Sequence, residues 1–131
     1  MKMQRLTHKN IRPYGWIIDS HFIKDDGKWD KFGILLKERS KGWRIGYLIL
    51  RKKKIGGLES HPDSLETFEP VSGRAAIYLA KKKTPNNIEA FLLDKPVVLK
   101  KGVWHDVAAI SNKCEIKIFE NIEVITKRYY F

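Results

Sequence analysis

ESHPDSLETFEPVSG, residues 59–73, carries polar side chains at the spacing of β-strands, and this spacing is the most informative signal of the fold. Residues two apart on a strand face the same side, so Glu59 and His61 are predicted to point together, and Glu66 is predicted to share a face with Phe68. If Phe68 points into a barrel, Glu66 does too. A buried carboxylate without a partner is costly, so inward Glu59, His61 and Glu66 need each other, a metal or a ligand.

The chain around this stretch alternates short apolar runs with turn signals. The predicted strands are rich in β-branched and aromatic residues: YGWIID (14–19), WRIGYLIL (43–50), RAAIYLA (74–80), IEAFLL (88–93), EIKIF (115–119) and IEVI (122–125). Short strands at this spacing predict an all-β sandwich or barrel. Thr7 to Arg12 is the best helical candidate, with Thr7 as N-cap. No linker or repeat divides the chain, so residues 1–131 are expected to form a single domain.

Composition limits the classes of function. The chain has 131 residues and a formal net charge of +11, an imbalance that can attract nucleic acid. The lysines, however, lie in short clusters at the ends of apolar runs and no nucleic-acid motif accompanies them, so a solvated lysine surface is the favoured interpretation. There is no membrane-spanning run and no apolar signal core after the basic N-terminus, which indicates a cytoplasmic protein without a membrane partner. The one cysteine, Cys114, excludes an internal disulfide and is expected in the core.

The spacing Glu59-x-His61-x4-Glu66-x6-Gly73 resembles the first metal motif of the cupin superfamily, with Glu59 in place of the usual first histidine. Gly102-x2-His105 resembles the end of the second cupin motif. This resemblance implies a cupin-type β-barrel, also called a double-stranded β-helix or jelly roll, with at most one or two short helices. It further implies metal ligation by Glu59, His61, Glu66 and His105, and two imidazoles with carboxylates suit a divalent ion such as Mn, Fe, Ni or Zn.

A narrower resemblance is carried by five segments: L-E-S-H-P (58–62), F-E-P (68–70), G-R (73–74), A-F (90–91) and K-G-V-W-H (101–105). They are similar to the ureidoglycolate lyase family, also called ureidoglycolate hydrolase, a branch of the cupins that acts in allantoin degradation. That likeness implies a homodimer and the cleavage of a small carboxylate, ureidoglycolate, to glyoxylate and urea. In that reading Glu66 and His105 are the candidate catalytic residues and Arg74 the candidate substrate-binding residue.

Two departures from that family motivate an alternative. The family usually has glutamine where this chain has Glu66, and a second histidine where this chain has Asp106. Asp106 follows His105 and is predicted to face the other way on a strand, toward solvent. The alternative is a non-catalytic cupin that binds a metal or a small carboxylate as a regulatory module. For the cofactor, the alternative to a divalent metal is none. Trp16, Trp29 and Trp43 could line a pocket or pack in the core, and aromatic residues in strands more often pack in the core. The apolar C-terminus, residues 129–131, suggests packing on the barrel or a dimer interface.

Overall fold

The computed structural model describes all residues, 1–131, and contains eleven strands and one short helix. In chain order they are β1 (Met3–Arg5), α1 (His8–Ile11), β2 (Gly15–Ile17), β3 (Trp43–Leu50), β4 (Gly57–Ser60), β5 (Glu66–Ser72), β6 (Ala75–Ala80), β7 (Glu89–Leu92), β8 (Val97–Leu99), β9 (Trp104–Ala109), β10 (Cys114–Asn121) and β11 (Lys127–Tyr130). No helix is of a length and hydropathy that would cross a membrane.

The strands form two sheets. The six-stranded sheet has the order β1-β7-β6-β9-β4-β11 and the five-stranded sheet the order β2-β8-β5-β10-β3. Every pairing is antiparallel except that of β1 with β7. Alternate residues of both sheets fill the space between them, among them Ile77, Phe91, Val97 and Ile116, each fully buried. Burial of such side chains is worth about 1.5–3 kcal/mol each. The all-β prediction and the barrel-like architecture are confirmed.

Several local predictions are also confirmed. The run 43–50 is β3 residue for residue, and α1 begins after Thr7, whose hydroxyl accepts from the backbone N–H of Asn10 at 3.0 Å. The Asn10 side chain in turn accepts from the Thr7 backbone at 2.9 Å, so two orphan donors at the helix start are satisfied. Cys114 is buried in the core.

Two predictions were wrong. The run 122–125 is not a strand, because β10 ends at Asn121, where the Asn121 backbone donates to Ser64 and its amide donates to the carbonyl of Asp63. Those bonds turn the chain across the end of the barrel. The core preference for tryptophan also fails for Trp29 and Trp43, whose exposed fractions are 86% and 60%.

Candidate metal and active site

Three of the predicted residues meet where β4 and β9 lie side by side in the six-stranded sheet. Glu59 on β4 is the register partner of His105 on β9, so the two side chains share a face. His61 follows the end of β4, and its carbonyl accepts from the backbone N–H of Gly102 at 3.0 Å. That bond ties the turn before β9 to His61, which explains physically why the two motif segments come together.

The five-stranded sheet supplies two more carboxylates from the opposite wall. Glu66 on β5 is buried and shares the inward face with Phe68, as the alternation predicted. Its register partner on β10 is Glu120. The ligand atoms of His61, Glu66 and Glu120 lie within 4.8 Å of one another, as do those of Glu59, His61 and His105. Five side chains therefore converge from both sheets at one end of the barrel.

The centre of the site is a buried triad, which we call the His–Glu cluster: His61, Glu66 and His105. Glu66 Oε1 lies 2.9 Å from Nε2 of His105 and 3.3 Å from Nε2 of His61, and the side chains are only 7–8% exposed. When both imidazoles are neutral and carry their hydrogen on Nδ1, neither Nε2 can donate to that oxygen, so Oε1 is a buried oxygen atom without a hydrogen-bond partner. A group of this kind requires an explanation, and a missing cation is one.

The other nitrogen of each imidazole indicates the tautomer. His105 Nδ1 lies 3.2 Å from the carbonyl oxygen of Val103, and His61 Nδ1 lies 3.1 Å from that of Ile125. A carbonyl only accepts, so each Nδ1 carries the hydrogen. In a neutral ring Nε2 then presents a lone pair toward Glu66, as in metal sites where a carbonyl fixes the ligating histidine. Without a metal, protonation of Nε2 is what would make the contact attractive.

The electrostatics of the triad agree with this geometry. Burial would raise the pKa of Glu66, but the adjacent His105 and His61 outweigh burial and lower the pKa to about 2. Burial would likewise lower the pKa of His61, but the hydrogen-bonding and charge influence of Glu66 raises it above its usual value. The cluster thus favours a negative Glu66 next to positive charge, whether that charge is a proton on His61 or a metal ion.

The donor set fits a borderline divalent metal. Two imidazole nitrogens with fixed Nδ1 partners and one buried carboxylate are ligands that Mn, Fe, Ni and Zn accept. The orphaned Oε1 is what such an ion would satisfy. Glu59 lies in one group with His61 and His105, and Glu120 in a second group with His61 and Glu66, so the charges of both would help balance an ion near His61.

Each outer carboxylate is held by an arginine. Arg44 donates to Glu120 from Nε at 2.9 Å and from Nη2 at 2.7 Å, and Arg128 on β11 pairs with its register partner Glu59. Three carboxylates and two arginines leave the site with one net negative charge when the histidines are neutral. A divalent cation would therefore enter a site that is electrostatically favourable.

Two residues discussed above lie away from the cluster. Arg74 is exposed at the start of β6, whereas His105 is in register with Leu79 near the end of that strand. The backbone N–H of Arg74 donates to the hydroxyl of Ser111, in the turn between β9 and β10, at 2.9 Å. The structure therefore does not bring Arg74 to the other predicted site residues. Asp106 faces away from His105 and pairs with Lys52 at 2.6 Å, in agreement with the expected outward orientation.

Glu120 is the site residue that sequence reasoning missed. The predicted strand ended at Phe119, one residue before Glu120, whereas β10 continues to Asn121. The signal was present, because Ile116, Ile118 and Glu120 alternate on β10, with Ile116 fully buried. Extending that alternation by one step places a carboxylate on the inward face beside the end of the barrel.

Two cavities reach the outer carboxylates of the site without reaching the His–Glu cluster. An apolar cavity of about 580 Å³ reaches Glu120, and a cavity of about 190 Å³ reaches Glu59. Neither is lined by His61, Glu66 or His105. The segment 122–126 lies over the cluster, since the Ile125 carbonyl and the Thr126 hydroxyl both contact His61. A substrate would need this segment to move before it reached the imidazoles.

Solved structures resemble the chain in fold. The cupin 2 domain-containing protein from Halorhodospira halophila matches 82% of this chain and 77% of its own, with a TM-score of 0.51 and 15% identity. CapF, a capsular polysaccharide assembling protein from Staphylococcus aureus, matches 76% of this chain with a TM-score of 0.53 and 17% identity. RmlC from Streptococcus suis matches 63% with a TM-score of 0.51 and 16% identity.

These likenesses show that the chain has a cupin-type fold. The chain spans 29% of the CapF chain and 45% of the RmlC chain, less than half of each. No protein-family model and no curated protein matches the sequence. None of the three structures is a ureidoglycolate lyase, so the activity of that family is a proposal for this chain.

Proposed function

We propose that the chain is a metal-dependent cupin enzyme that acts on a small hydroxy- or ureido-carboxylate, with ureidoglycolate cleavage as its candidate reaction. The observation that carries the proposal is the orphaned Glu66 Oε1, buried between the Nε2 atoms of His61 and His105. The resemblance of segments 58–62 and 101–105 to ureidoglycolate lyases supplies the candidate substrate.

His61, Glu66 and His105 would hold the ion, with Glu59 as the fourth ligand. A bound divalent ion supplies Lewis acidity, which lowers the pKa of a hydroxyl group that it contacts. The low pKa of Glu66 suits it to neutralising a cation and makes it a weak proton acceptor. We therefore assign Glu66 to binding rather than to proton transfer, which changes the catalytic role that the resemblance implied.

The reaction needs one proton acceptor and no oxidant. Ureidoglycolate carries a hydroxyl and a urea nitrogen on the same carbon. Removal of the hydroxyl proton allows that oxygen to form a carbonyl while the carbon–nitrogen bond breaks, and the leaving urea nitrogen takes up a proton. Glu59 is the carboxylate placed for this transfer when it is not a ligand, because its side chain is 39% exposed while that of Glu66 is 8% exposed.

A second candidate function is a metal-binding module without turnover. It is favoured by the position of segment 122–126, which lies over the His–Glu cluster through the contacts of Ile125 and Thr126 with His61. In that case the ion would tie the two sheets together and stabilise the barrel, since a ligand that binds only the folded state raises its stability.

One experiment distinguishes the two functions. Protein stripped with a chelator is reloaded separately with Mn²⁺, Ni²⁺ or Zn²⁺, and both its melting temperature and its release of glyoxylate from ureidoglycolate are measured. The enzyme predicts stabilisation by one of these ions together with release above the spontaneous rate. Stabilisation without release supports the binding module. No stabilisation by any of the ions contradicts both functions.

A further inference from the structure

The strand β3 leaves one edge of the five-stranded sheet open. It pairs with β10 through eight consecutive residues without a bulge, and no strand lies on its other side. None of the backbone hydrogen bonds outside the regular elements involves residues 43–50. Proteins usually protect such an edge with lysine, proline or a bulge. β3 contains no lysine, proline or bulge, and its one charged residue, Arg44, is paired with Glu120 on the neighbouring strand β10.

The same strand presents an apolar stripe on the outer face of the sheet. Trp43, Ile45, Tyr47 and Ile49 alternate on that face, with exposed fractions of 60%, 57%, 55% and 53%. On the order of 100 Å² of each side chain is thus accessible, which gives roughly 400 Å² in total. A standard interface needs about 800 Å² from each partner, and the main chain of an eight-residue edge makes up part of the difference.

We propose that two copies of this chain pair β3 with β3 in antiparallel orientation about a twofold axis at Gly46, which joins the two five-stranded sheets into one. In this register Ile45 lies opposite Tyr47 of the partner subunit, and Trp43 lies opposite Ile49 of the partner subunit. All four exposed apolar residues then meet apolar residues, each as an aromatic with a β-branched side chain, a favourable cross-strand pair. An isologous contact of this kind closes at two copies.

The two neighbouring registers are less favourable, because each places an apolar residue opposite a charged one. With the axis one residue later, at Tyr47, Trp43 would face Arg51 of the partner subunit. With the axis one residue earlier, at Ile45, Ile49 would face Lys41 of the partner subunit. Only the axis at Gly46 uses the whole stripe. That register brings Lys41 opposite Arg51 of the partner subunit, so added salt, by screening their repulsion, should strengthen the dimer. The pairing does not depend on the metal or on the proposed reaction.

Mass measurement by light scattering tests the interface. We expect the protein to form a dimer of twice 15.3 kDa, with a Kd on the order of micromolar that falls as salt is raised. Ile45→Lys should raise the Kd at least about tenfold. The matched control is Val71→Lys, which changes an apolar residue 52% exposed on β5 of the same sheet and should leave the Kd unchanged. Unchanged circular dichroism and melting temperature would show that both variants fold.

Disulfide trapping tests the register. The double variant Ile45→Cys, Tyr47→Cys places thiols on facing residues and should form covalent dimers on mild oxidation, while Ile45→Cys, Ile49→Cys should not. The proposal is overturned by a protein that stays monomeric at about 100 µM, by a dimer that survives Ile45→Lys, by a dimer that Val71→Lys disrupts, or by efficient trapping of the Ile45, Ile49 pair.

Discussion

Replacing Glu66 by glutamine in the metal-free protein separates the charge of the His–Glu cluster from its shape. Glutamine keeps the volume of the side chain and its position on β5 but removes the negative charge that faces His61 and His105. His105 and His61 both lower the pKa of Glu66, and Glu66 raises the pKa of His61, so the two shifts share the attraction between the Glu66 carboxylate and a protonated His61. The variant removes that attraction and leaves the backbone in place.

The size and sign of the effect follow from the two pKa shifts. A carboxyl pKa lowered from 4.5 to about 2 corresponds to stabilisation on the order of 3 kcal/mol. The Glu66 contribution is fully present above pH 4.5, its unfolded value, and is lost as the pH falls toward 2. The His61 contribution is fully present below pH 6.5, its unfolded value, and is lost as the pH rises through its raised folded value. The attraction is therefore strongest between these two unfolded values.

Urea denaturation in the presence of a chelator measures the free energy of unfolding of the wild type and of Glu66→Gln at two pH values. At about pH 5.5 we expect Glu66→Gln to cost on the order of 2–3 kcal/mol, and at about pH 9 the cost should be smaller, because the attraction is lost as the pH rises through the raised pKa of His61. The matched control is Glu69→Gln on the same strand, whose partner Lys117 at 3.0 Å is exposed, so its loss should cost little at either pH. A cost that is equal at the two pH values, or below about 1 kcal/mol at the lower one, would refute the reasoning.

Three further predictions concern one residue of the site and two residues away from it. Glu120→Gln should lower metal affinity by roughly tenfold and leave Arg44 without its carboxylate, as titration calorimetry with Mn²⁺ would show; unchanged affinity would remove Glu120 from the site. Arg74→Ala should change unfolding free energy by less than about 0.5 kcal/mol and leave glyoxylate release unaltered; a loss of release would return Arg74 to the substrate site. Gly73→Ala should cost about 2–4 kcal/mol in urea, because Gly73 has φ +75° and an added Cβ would lie 2.4 Å from the Lys113 carbonyl. Its control, Gly27→Ala, has φ +79° and open space, so it should cost only the backbone strain, and equal costs would contradict this account.

The inward cluster was predictable because it rests on alternation along single strands. Glu59 precedes His61 by two residues, and Glu66 precedes Phe68 by two, so the face of each side chain follows from the β assignment alone. The antiparallel β4–β9 pairing, which brings Glu59 opposite His105, could be expected only through the resemblance. The face to which a side chain points within one strand therefore follows from the local sequence.

What could not be predicted depends on contacts between distant strands. Glu120 reaches the site because β10 pairs with β5, and Arg128 reaches Glu59 because β11 pairs with β4. Neither pairing follows from the pattern of a single segment. The run 122–125 has strand composition, yet bonds from Asn121 to residues 63 and 64 direct it across the barrel end instead. Tertiary context overrides β-propensity in this way at strand ends.

The site has two ways to satisfy the same buried oxygen, and they exclude each other. A proton on Nε2 of His61 or His105 would give Glu66 an imidazolium partner, whereas a metal ion held by the same nitrogens would replace that proton. The Nδ1 atoms keep their bonds to the carbonyls of Val103 and Ile125 in both states, so the rings need not turn. The structure therefore presents a site already arranged for a cation, and Glu66 meets positive charge in either state.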